Sequence, residues 1–325
     1  MVTFLALEES GQQDRCQYLL EQAKAMVESR VSADSRYQTR IPYLTINRYS
    51  RRMPPIPVVL SPSFCLVLQG SKKVHSGEHI LYAREGDFLT SLIALPTTAQ
   101  VNADTLDTQP YIGLRVDFTI QEIASVITES QLKVSPRDKH STAAFIGRAD
   151  EELLVLFVRL LSLLNKPEEE TLFLSGLIKQ ELIFKLLSGE YSHLFFQQVF
   201  FDQQAEGIGK AIAWIKDHYA RSFTMKELAN ATNMSVSGLH HKFKAITSMG
   251  PLQYQKQLRL QEARRLLISG QMDVTNASLE VGYSSPSQFN REYRRLFGLP
   301  PLQDVKALKR HASAGLIEDN PALFR

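Results

Sequence analysis

The sequence predicts an α+β protein: a small N-terminal β-barrel domain with flanking helices, then an all-α domain with two helix-turn-helix motifs joined by a long helix. Three observations predict it. A helix-turn-helix spacing occurs twice between residues 224 and 298, short strand-like runs separated by turn residues fill residues 40–118, and positive charge collects in the C-terminal third. A chain of 325 residues is long enough for two separate cores.

Composition indicates a soluble protein of a reducing compartment. Hydrophobic residues make up 44% of the chain and charged residues 22%, as in ordinary globular proteins. The most apolar run, 153–164, contains Arg159 and is shorter than the ~20 residues of a membrane span. The N-terminus has no basic region typical of a secretory signal, and only Cys16 and Cys65 are present. We expect a cytoplasmic protein without membrane spans.

The net charge of +3 is unevenly distributed. Residues 207–310 contain sixteen Lys and Arg against seven Asp and Glu, whereas residues 1–206 contain twenty against twenty-five. A basic domain on an acidic body is typical of nucleic-acid binding, because phosphates must be neutralised. The alternative is a solvated charged surface without a partner.

The N-terminal half begins with a predicted helix over residues 12–29. Alternating and short apolar runs then follow from Ile41 to Phe118, and glycine-containing turn signals at Ser76-Gly77 and 85–87 separate them. No alternation of strands with helices is present, so the runs predict an antiparallel barrel or sandwich.

After Phe118 the apolar period becomes helical, which predicts helices over 120–127, 150–164 and 168–189. The second is apolar on more than one stripe and therefore needs burial on two sides. It is either an internal core helix or, with its neighbour, part of a dimer interface. The Gln- and Gly-containing segment 195–209 loses periodicity and predicts the inter-domain linker.

The C-terminal domain starts with a predicted helix over 209–220, and two helix pairs follow, with turns at Asn233 and Gly282. Both residues tolerate the positive φ that a sharp re-aiming of the chain needs. Between the pairs, residues 251–270 predict one long helix that starts with Pro and stops with Gly. Its basic side chains are expected to stay in water or reach phosphates: Lys256, Arg259, Arg264 and Arg265.

Residues 212–304, including MKELANATNMSVSGLHHKFK and VGYSSPSQFNREYRRLFGLPP, are similar to the double helix-turn-helix domain of AraC/XylS-type transcription regulators. Upstream, PSFCLVLQGSKKV, REGDFLTS and YIGLRVDF resemble the cupin-related N-terminal domain of one branch of that family. The chain departs from the family pattern at Ala277-Ser278, usually Ile-Ala, and at Asp304, usually Tyr. The expected domains are a cupin-like regulatory and dimerisation domain, 1–200, a DNA-binding domain, 207–310, and a tail, 311–325.

The resemblance implies that one monomer inserts two recognition helices into successive major-groove segments ~34 Å apart. Side chains expected to read bases are Ser237, His240 and His241 on the first helix and Ser287, Gln288 and Arg291 on the second. Those expected to hold phosphates are Lys242, Lys244, Ser284, Arg294 and Arg295. For each one the alternative is a solvated polar residue.

The resemblance also implies a small-molecule effector in the N-terminal domain. Candidate contacts are Gln69, Tyr82, Tyr111 and Arg115, the last sharing a strand face with Asp117. Cys65 is either a thiol that senses oxidants or electrophiles, or a buried core residue. A regulator without a ligand, controlled by its own abundance, is the remaining competitor.

An enzyme is the weaker alternative. His75 and His79 are the histidine pair of the N-terminal domain, but they lack the His-x-His spacing and accompanying Glu of cupin metal sites. We therefore expect no catalysis, no metal and no cofactor. The expected partners are double-stranded DNA, an unidentified effector, RNA polymerase as a candidate, and a second copy of the chain that pairs through N-terminal-domain helices. Activation and repression both fit.

Overall fold

The computed structural model describes residues 2–51, 55–76, 79–91, 93–101, 109–132, 144–195 and 207–312, with side chains from residue 13 to 308. The predicted tail beyond residue 312 and the predicted linker between residues 195 and 207 lie outside the described residues. The N-terminal elements are α1 (Val2–Glu28), β1 (Ser35–Gln38), β2 (Leu44–Tyr49), β3 (Ile56–Leu60), β4 (Ser63–Gln69), β5 (Ser71–Ser76), β6 (His79–Arg84), β7 (Asp87–Ser91), β8 (Leu95–Val101), β9 (Tyr111–Asp117), α2 (Ile120–Ser130), β10 (Ala144–Arg148), α3 (Glu151–Leu163) and α4 (Glu168–Ser188).

The strands form two sheets. A six-stranded sheet has the order β1-β2-β9-β4-β7-β10, and a four-stranded sheet has the order β3-β8-β5-β6, with antiparallel pairing throughout. Of the two arrangements that the sequence predicts, a barrel or a sandwich, the described strands form the sandwich: two facing sheets rather than a closed barrel. The physical reason is the pairing itself: β4 pairs with β7 and β9, and β5 pairs with β6 and β8, so among the described strands the two sets stay separate.

The two faces of the six-stranded sheet differ in chemistry. Side chains of one face, such as Ile46, Phe64 and Leu114, form a buried core with α1, α3 and α4. The apolar residues of α3 lie inside this core, so its several apolar stripes reflect burial between neighbours within one chain. The opposite face carries polar side chains such as Thr45 and Arg115.

Strand β10 was not predicted, because only helices were expected after Phe118. It pairs with β7 in antiparallel register, with Phe145 opposite Thr90. A five-residue edge strand whose partner lies more than fifty residues earlier leaves no local alternation that distinguishes it from a loop.

The C-terminal domain contains the six predicted helices: α5 (Ile208–His218), α6 (Met225–Ala231), α7 (Val236–Thr247), α8 (Pro251–Ile268), α9 (Val274–Glu280) and α10 (Pro286–Phe297). A further helix that was not predicted from the sequence follows them, α11 (Pro301–Ala312). Pro251 begins α8, and Gly270 after its end has φ 72°, as the sequence predicts. None of the helices described has the length and hydropathy that crossing a membrane requires.

The two domains share a core. Val59, Leu60 and Leu95 of the four-stranded sheet belong to the same buried cluster as Ile212 of α5 and Leu258 of α8.

Two hydrogen bonds cross the same contact. Tyr254 Oη donates to the carbonyl of Ala94 at 2.6 Å, and Gln261 Nε2 donates to the carbonyl of Val58 at 3.2 Å. The N-terminal domain therefore packs directly against the first helix pair and the long helix α8.

Candidate nucleic-acid interface

The two helix pairs, α6 with α7 (the first unit) and α9 with α10 (the second unit), are built alike. Each helix starts with a side chain that accepts a hydrogen bond from the backbone of the first turn: Thr224, Ser235, Asp273 and Ser285. Such caps satisfy orphan N–H groups and fix where each helix begins.

The turns follow the prediction from sequence. Asn233 has φ 52° and Gly282 has φ 89°, the left-handed conformation that lets a helix stop and the chain change direction.

Each second helix buries one side and exposes the other. Leu239 and Phe243 of α7, and Phe289 and Tyr293 of α10, are fully buried in their units. The opposite sides are exposed, as is Ser284 just before the cap of α10. The exposed side chains on the two helices include all the others that the sequence assigns to DNA: Ser237, His240, His241, Lys242, Lys244, Ser287, Gln288, Arg291, Arg294 and Arg295. Both helices therefore present their polar faces to solvent, and the individual DNA roles remain predictions.

Gln288 and Arg291 differ in how firmly they are held. Gln288 Nε2 donates to Glu292 Oε1 at 3.3 Å, and Glu292 also accepts from the hydroxyl of Tyr283 at 2.9 Å. Lys256 Nζ lies 3.4 Å from the same carboxylate. Within the part of the chain that the structure describes, Arg291 makes no ion pair or hydrogen bond, so its guanidinium is available to a ligand.

Arg259 links the two units, which corrects the expectation that it stays in water or reaches phosphates. Its guanidinium donates to the carbonyls of Tyr219 at 2.7 Å and Ala220 at 3.3 Å, just after α5, and to that of Gly282 at 2.9 Å. Gln255 supports the same segment through bonds to Tyr219 and Arg221. The long helix therefore ties the turn of the second unit to the chain that enters the first.

Gly282 is needed at this junction for two reasons. Its φ of 89° favours glycine, and a Cβ built on it would lie 1.7 Å from the carbonyl oxygen of Ala220. The turn of the second unit thus approaches the first unit more closely than any side chain allows. Together with Arg259, this approach fixes the relative position of the two recognition helices.

The expectation that Arg264 is wet or reaches phosphates is also wrong, whereas Arg265 stays partly exposed. Arg264 is buried and makes a two-pronged ion pair with Asp304, at 2.7 and 2.8 Å, and Tyr293 Oη donates to the same carboxylate at 2.8 Å. Arg265 pairs with Glu262 at 2.7 Å. Asp304, where the family usually has Tyr, therefore holds α10 and α11 against α8.

A cavity of about 870 Å³ borders the first recognition helix. Its basic lining residues are His79 at the start of β6 and His240, His241 and Lys244 of α7. Sequence reasoning placed His79 in a hairpin without linking it to the DNA-binding domain, because strand register and domain packing have no local signature.

The histidine pair does not form a metal site. His75 pairs with Ile80 and Ser76 with His79, so the two histidines lie on opposite faces of the β5–β6 hairpin. Across the described ranges, no three His, Cys, Asp or Glu side chains converge as metal ligands do.

The effector candidates are only partly brought together. Cys65 Sγ lies 3.8 Å from the hydroxyl of Tyr111, and Cys65 is directly opposite Arg115 in the β4–β9 pairing. Gln69 is buried and donates to the carbonyl of Pro110 at 2.8 Å, so its amide is already used. Tyr82 lies on the other face of its sheet, under Arg84, because β6 pairs with β5 in a register that turns Ala83 inward.

Two linked helix-turn-helix units with exposed polar recognition helices define a DNA-binding protein of the double helix-turn-helix class. Comparison with known proteins agrees. Residues 40–194 match the family described as AraC-type transcriptional regulator N-terminus, and residues 228–307 match a helix-turn-helix domain. The chain belongs to the AraC family of transcriptional regulators, with an N-terminal regulatory domain.

Curated relatives match over about a third of the chain. The transcriptional activator RhaS of Escherichia coli is 30% identical over 105 residues, which cover 32% of this chain and 37% of RhaS. RhaS of Escherichia fergusonii is 33% identical over 90 residues, covering 28% and 32%. The match thus spans about a third of the length of these relatives.

Solved structures match over most of the chain. An apo variant of ToxT from Vibrio cholerae superposes with a TM-score of 0.56 at 10% identity, covering 81% of this chain and 97% of ToxT. Wild-type ToxT bound to an unsaturated fatty acid gives a TM-score of 0.55 at 10% identity, covering 81% and 94%. This likeness shows a shared two-domain fold.

Proposed function

We propose that the chain is a sequence-specific regulator of transcription that places α7 and α10 in successive major-groove segments of double-stranded DNA. The observation that carries the proposal is the pair of exposed recognition helices held in fixed relative position by Arg259 and Gly282. The N-terminal residues of a recognition helix reach base edges, and these are Ser237, His240 and His241 in α7 and Ser287, Gln288 and Arg291 in α10.

The remaining exposed residues fit contacts to the DNA backbone. Lys242, Lys244, Arg294 and Arg295 lie beyond the first turns of the two helices, and Ser284 precedes the cap of α10. Cations at these positions set the register on the duplex without reading sequence. Sixteen Lys and Arg in residues 207–310 supply the charge for a strongly salt-dependent affinity.

A small molecule in the N-terminal domain modulates this binding. Its four-stranded sheet shares a core with the first unit, so a ligand that changes the packing of the sheets also changes the support of α7. ToxT has been solved with an unsaturated fatty acid, which favours a ligand-controlled regulator over one controlled by abundance alone.

The protein acts as a cytoplasmic homodimer with RNA polymerase as a further partner. We propose α4 as the dimer contact, because Phe173 is 70% exposed and Leu177, one turn later, is 50% exposed. An apolar stripe on the solvent side of a helix is typical of a protein contact. Domain boundaries of 1–200 and 207–310 remain part of the proposal.

Selection of duplexes from a random pool by the full-length chain tests the function. We expect enrichment of a site with two short conserved blocks about one helical turn apart, and an affinity that falls steeply with salt. A pool that stays random, or a single block without a partner at fixed distance, would contradict the proposed two-helix binding.

A further inference from the structure

The inner face of the six-stranded sheet is unusually polar for the inside of a two-sheet domain. The pairings place Thr45, Arg115 and Cys65 in one row across β2, β9 and β4. Arg36 pairs with Asn47, which lies opposite Gly113 in the next row on the same face. This face looks toward the four-stranded sheet, from which Lys72 reaches Cys65.

Three cations lie between the two sheets, Arg36, Lys72 and Arg115, and Arg115 is neutralised by the protein. Arg115 Nη2 lies 2.7 Å from Asp117 Oδ1, its Nε donates to the same oxygen at 2.8 Å, and it also donates to Ser61 Oγ at 2.5 Å. Asp117 is thereby committed to Arg115.

Among the residues that the structure describes, the other two cations, Lys72 and Arg36, have no carboxylate partner. Lys72 Nζ makes one hydrogen-bonding contact among the described residues, to Cys65 Sγ at 3.7 Å, and a sulfur is a weak acceptor. Arg36 is partly buried and forms no hydrogen bond or ion pair with any residue that the structure describes. Charges removed from water are normally paired, whereas among the described residues Arg36 and Lys72 are two partly buried cations without a counter-charge.

The electrostatics of Arg36 agree with this imbalance. Burial lowers the pKa of Arg36 below its ordinary value, and the positive charge of Arg115 lowers that pKa further, while Asp117 acts in the opposite direction. Both lowering effects report that the protonated form lacks compensation. A negative charge bound between the sheets would supply the counter-charge that Arg36 and Lys72 lack among the described residues.

Uncharged groups complete the site. Burial raises the pKa of Tyr111 well above its usual range, so its hydroxyl remains a hydrogen-bond donor near Cys65. Gly113 leaves room for that hydroxyl, because a Cβ there would lie 2.4 Å from it. Tyr49 stacks beside Tyr111 with ring centroids 6.4 Å apart, and Val67 packs in the same small apolar cluster.

We propose that Arg36, Lys72 and Arg115, the cation cluster, bind a small organic oxyanion between the two sheets, and that this anion is the effector of the regulator. The role of the anion as an effector rests on the proposed function, whereas the binding of the anion does not. Guanidinium groups match carboxylate or phosphate oxygens with paired hydrogen bonds, Tyr111 adds a donor, and the apolar cluster accommodates a short hydrocarbon part. Carboxylates and phosphates share this chemistry, and the test separates them.

The test measures thermal unfolding of the full-length chain at constant ionic strength with butyrate, succinate, inorganic phosphate and the neutral analogue butyramide. In the four-stranded sheet, Lys72 pairs with Ala83 and Val101, and its neighbour Lys73 pairs with Tyr82 and Gln100. The side chains of Lys72 and Lys73 therefore lie on opposite faces of the sheet, and Lys73→Gln is a matched control for Lys72→Gln. Arg36→Gln is the second test variant.

We expect at least one of the anions to raise the unfolding temperature with saturation, and butyramide to leave it unchanged. Removing one charged hydrogen-bond donor should weaken the apparent anion affinity about tenfold in Arg36→Gln and in Lys72→Gln, with Lys73→Gln like the wild type. Without anion, Arg36→Gln should unfold at a higher temperature than the wild type, because the variant loses an uncompensated charge.

Three results would overturn the proposal: no stabilisation by any of the anions, equal stabilisation by butyramide, or anion stabilisation that persists in Arg36→Gln and Lys72→Gln. Affinity for the selected duplex, measured on the wild type and the same variants without anion, distinguishes failure of the anion site from failure of the proposed function. A wild-type chain that selects a duplex but is not stabilised by any of the anions refutes only the effector site. A chain that selects no duplex but binds the anion refutes only the regulator.

Discussion

Arg259 and Arg291 have the same side chain, but the fold uses them in opposite ways. The guanidinium of Arg259 donates hydrogen bonds to three backbone carbonyls between the helix-turn-helix units. Arg291, on the exposed side of α10, makes no such bond among the described residues. A donor that is already hydrogen-bonded within the protein fixes its geometry, whereas a donor without such a bond is available to a ligand. We therefore expect substitutions of these two arginines to have different effects.

Replacing Arg291 by Ala should weaken binding to the selected duplex and relax preference at one base position. A bidentate contact of Arg to guanine contributes ~1–3 kcal/mol of discrimination. Arg295→Ala, at the end of the same helix, should instead weaken binding to all duplexes alike and reduce the salt slope by about one. Titrations with the selected duplex and single-base variants, at several salt concentrations, measure both effects.

If the two variants lose affinity in the same base-independent way, α10 does not read bases through Arg291. Unchanged footprints for both would mean that α10 is not in contact with the DNA at all.

The sequence was sufficient to predict which residues of the recognition helices are exposed. It was insufficient to predict the contacts of the basic residues of α8. Buried Leu239, Phe243 and Phe289 follow from helical spacing, and the polar faces opposite them follow as well. Arg259 and Arg264 lie on a helix that is packed on several sides, so spacing within α8 cannot show which carbonyl or carboxylate faces them. Arg36 and Lys72 were missed for a related reason, since strand register decides which residues share the inner face.

At the scale of elements, the turn of the second unit is the most constrained piece of backbone in the DNA-binding domain. Gly282→Ala should lower the free energy of unfolding by more than Gly298→Ala, which serves as a matched control. Both glycines have positive φ, 89° and 80°, but a Cβ at Gly298 meets nothing within 4 Å, whereas one at Gly282 meets the Ala220 carbonyl. The conformational strain alone costs about 1–2 kcal/mol, and the collision adds to it.

Urea unfolding of the two variants measures their free energies of unfolding. Titration with duplexes in which the two blocks are moved apart by one or two base pairs measures the preferred block spacing of each variant. We expect Gly282→Ala to lose its preference for the wild-type block spacing, because the junction between the units must open. Equal stability losses in the two variants, with an unchanged spacing preference, would show that the close approach to Ala220 is not needed.

Elements were predictable where local pattern determines them. The helices of both units begin at side-chain caps that can be read directly from Thr224, Ser235, Asp273 and Ser285. Strand β10 and the separation into two sheets depend on pairings between distant segments, such as Phe145 with Thr90. Helix α3 shows a third case, because its apolar stripes are equally compatible with a core or an interface until the neighbouring elements are known.

At the scale of the whole molecule, the cation cluster and the first recognition helix are connected through packed side chains. Cys65, which contacts Lys72, belongs to the same buried cluster as Leu239 and Phe243 of α7, and Tyr254 of α8 is bonded to Ala94. A ligand between the sheets can therefore shift the packing beneath α7 without touching DNA. Coupling of this kind needs an element whose position both sites bias, and the shared core provides it.

The exposed apolar stripe of α4, Phe173 and Leu177, is the proposed contact between two copies of the chain. If two copies pair through this helix, Phe173→Ser with Leu177→Ser should raise the dimer dissociation constant at least tenfold, because a twofold contact counts each lost apolar group twice and a buried Phe or Leu contributes about 1.5–3 kcal/mol. Ile80→Ser is the control, since Ile80 is 57% exposed on β6, away from α4. Sedimentation equilibrium of the full-length variants measures the change. Dimers that survive the α4 substitutions but weaken with Ile80→Ser would move the contact to the β5–β6 hairpin, beside the first recognition helix.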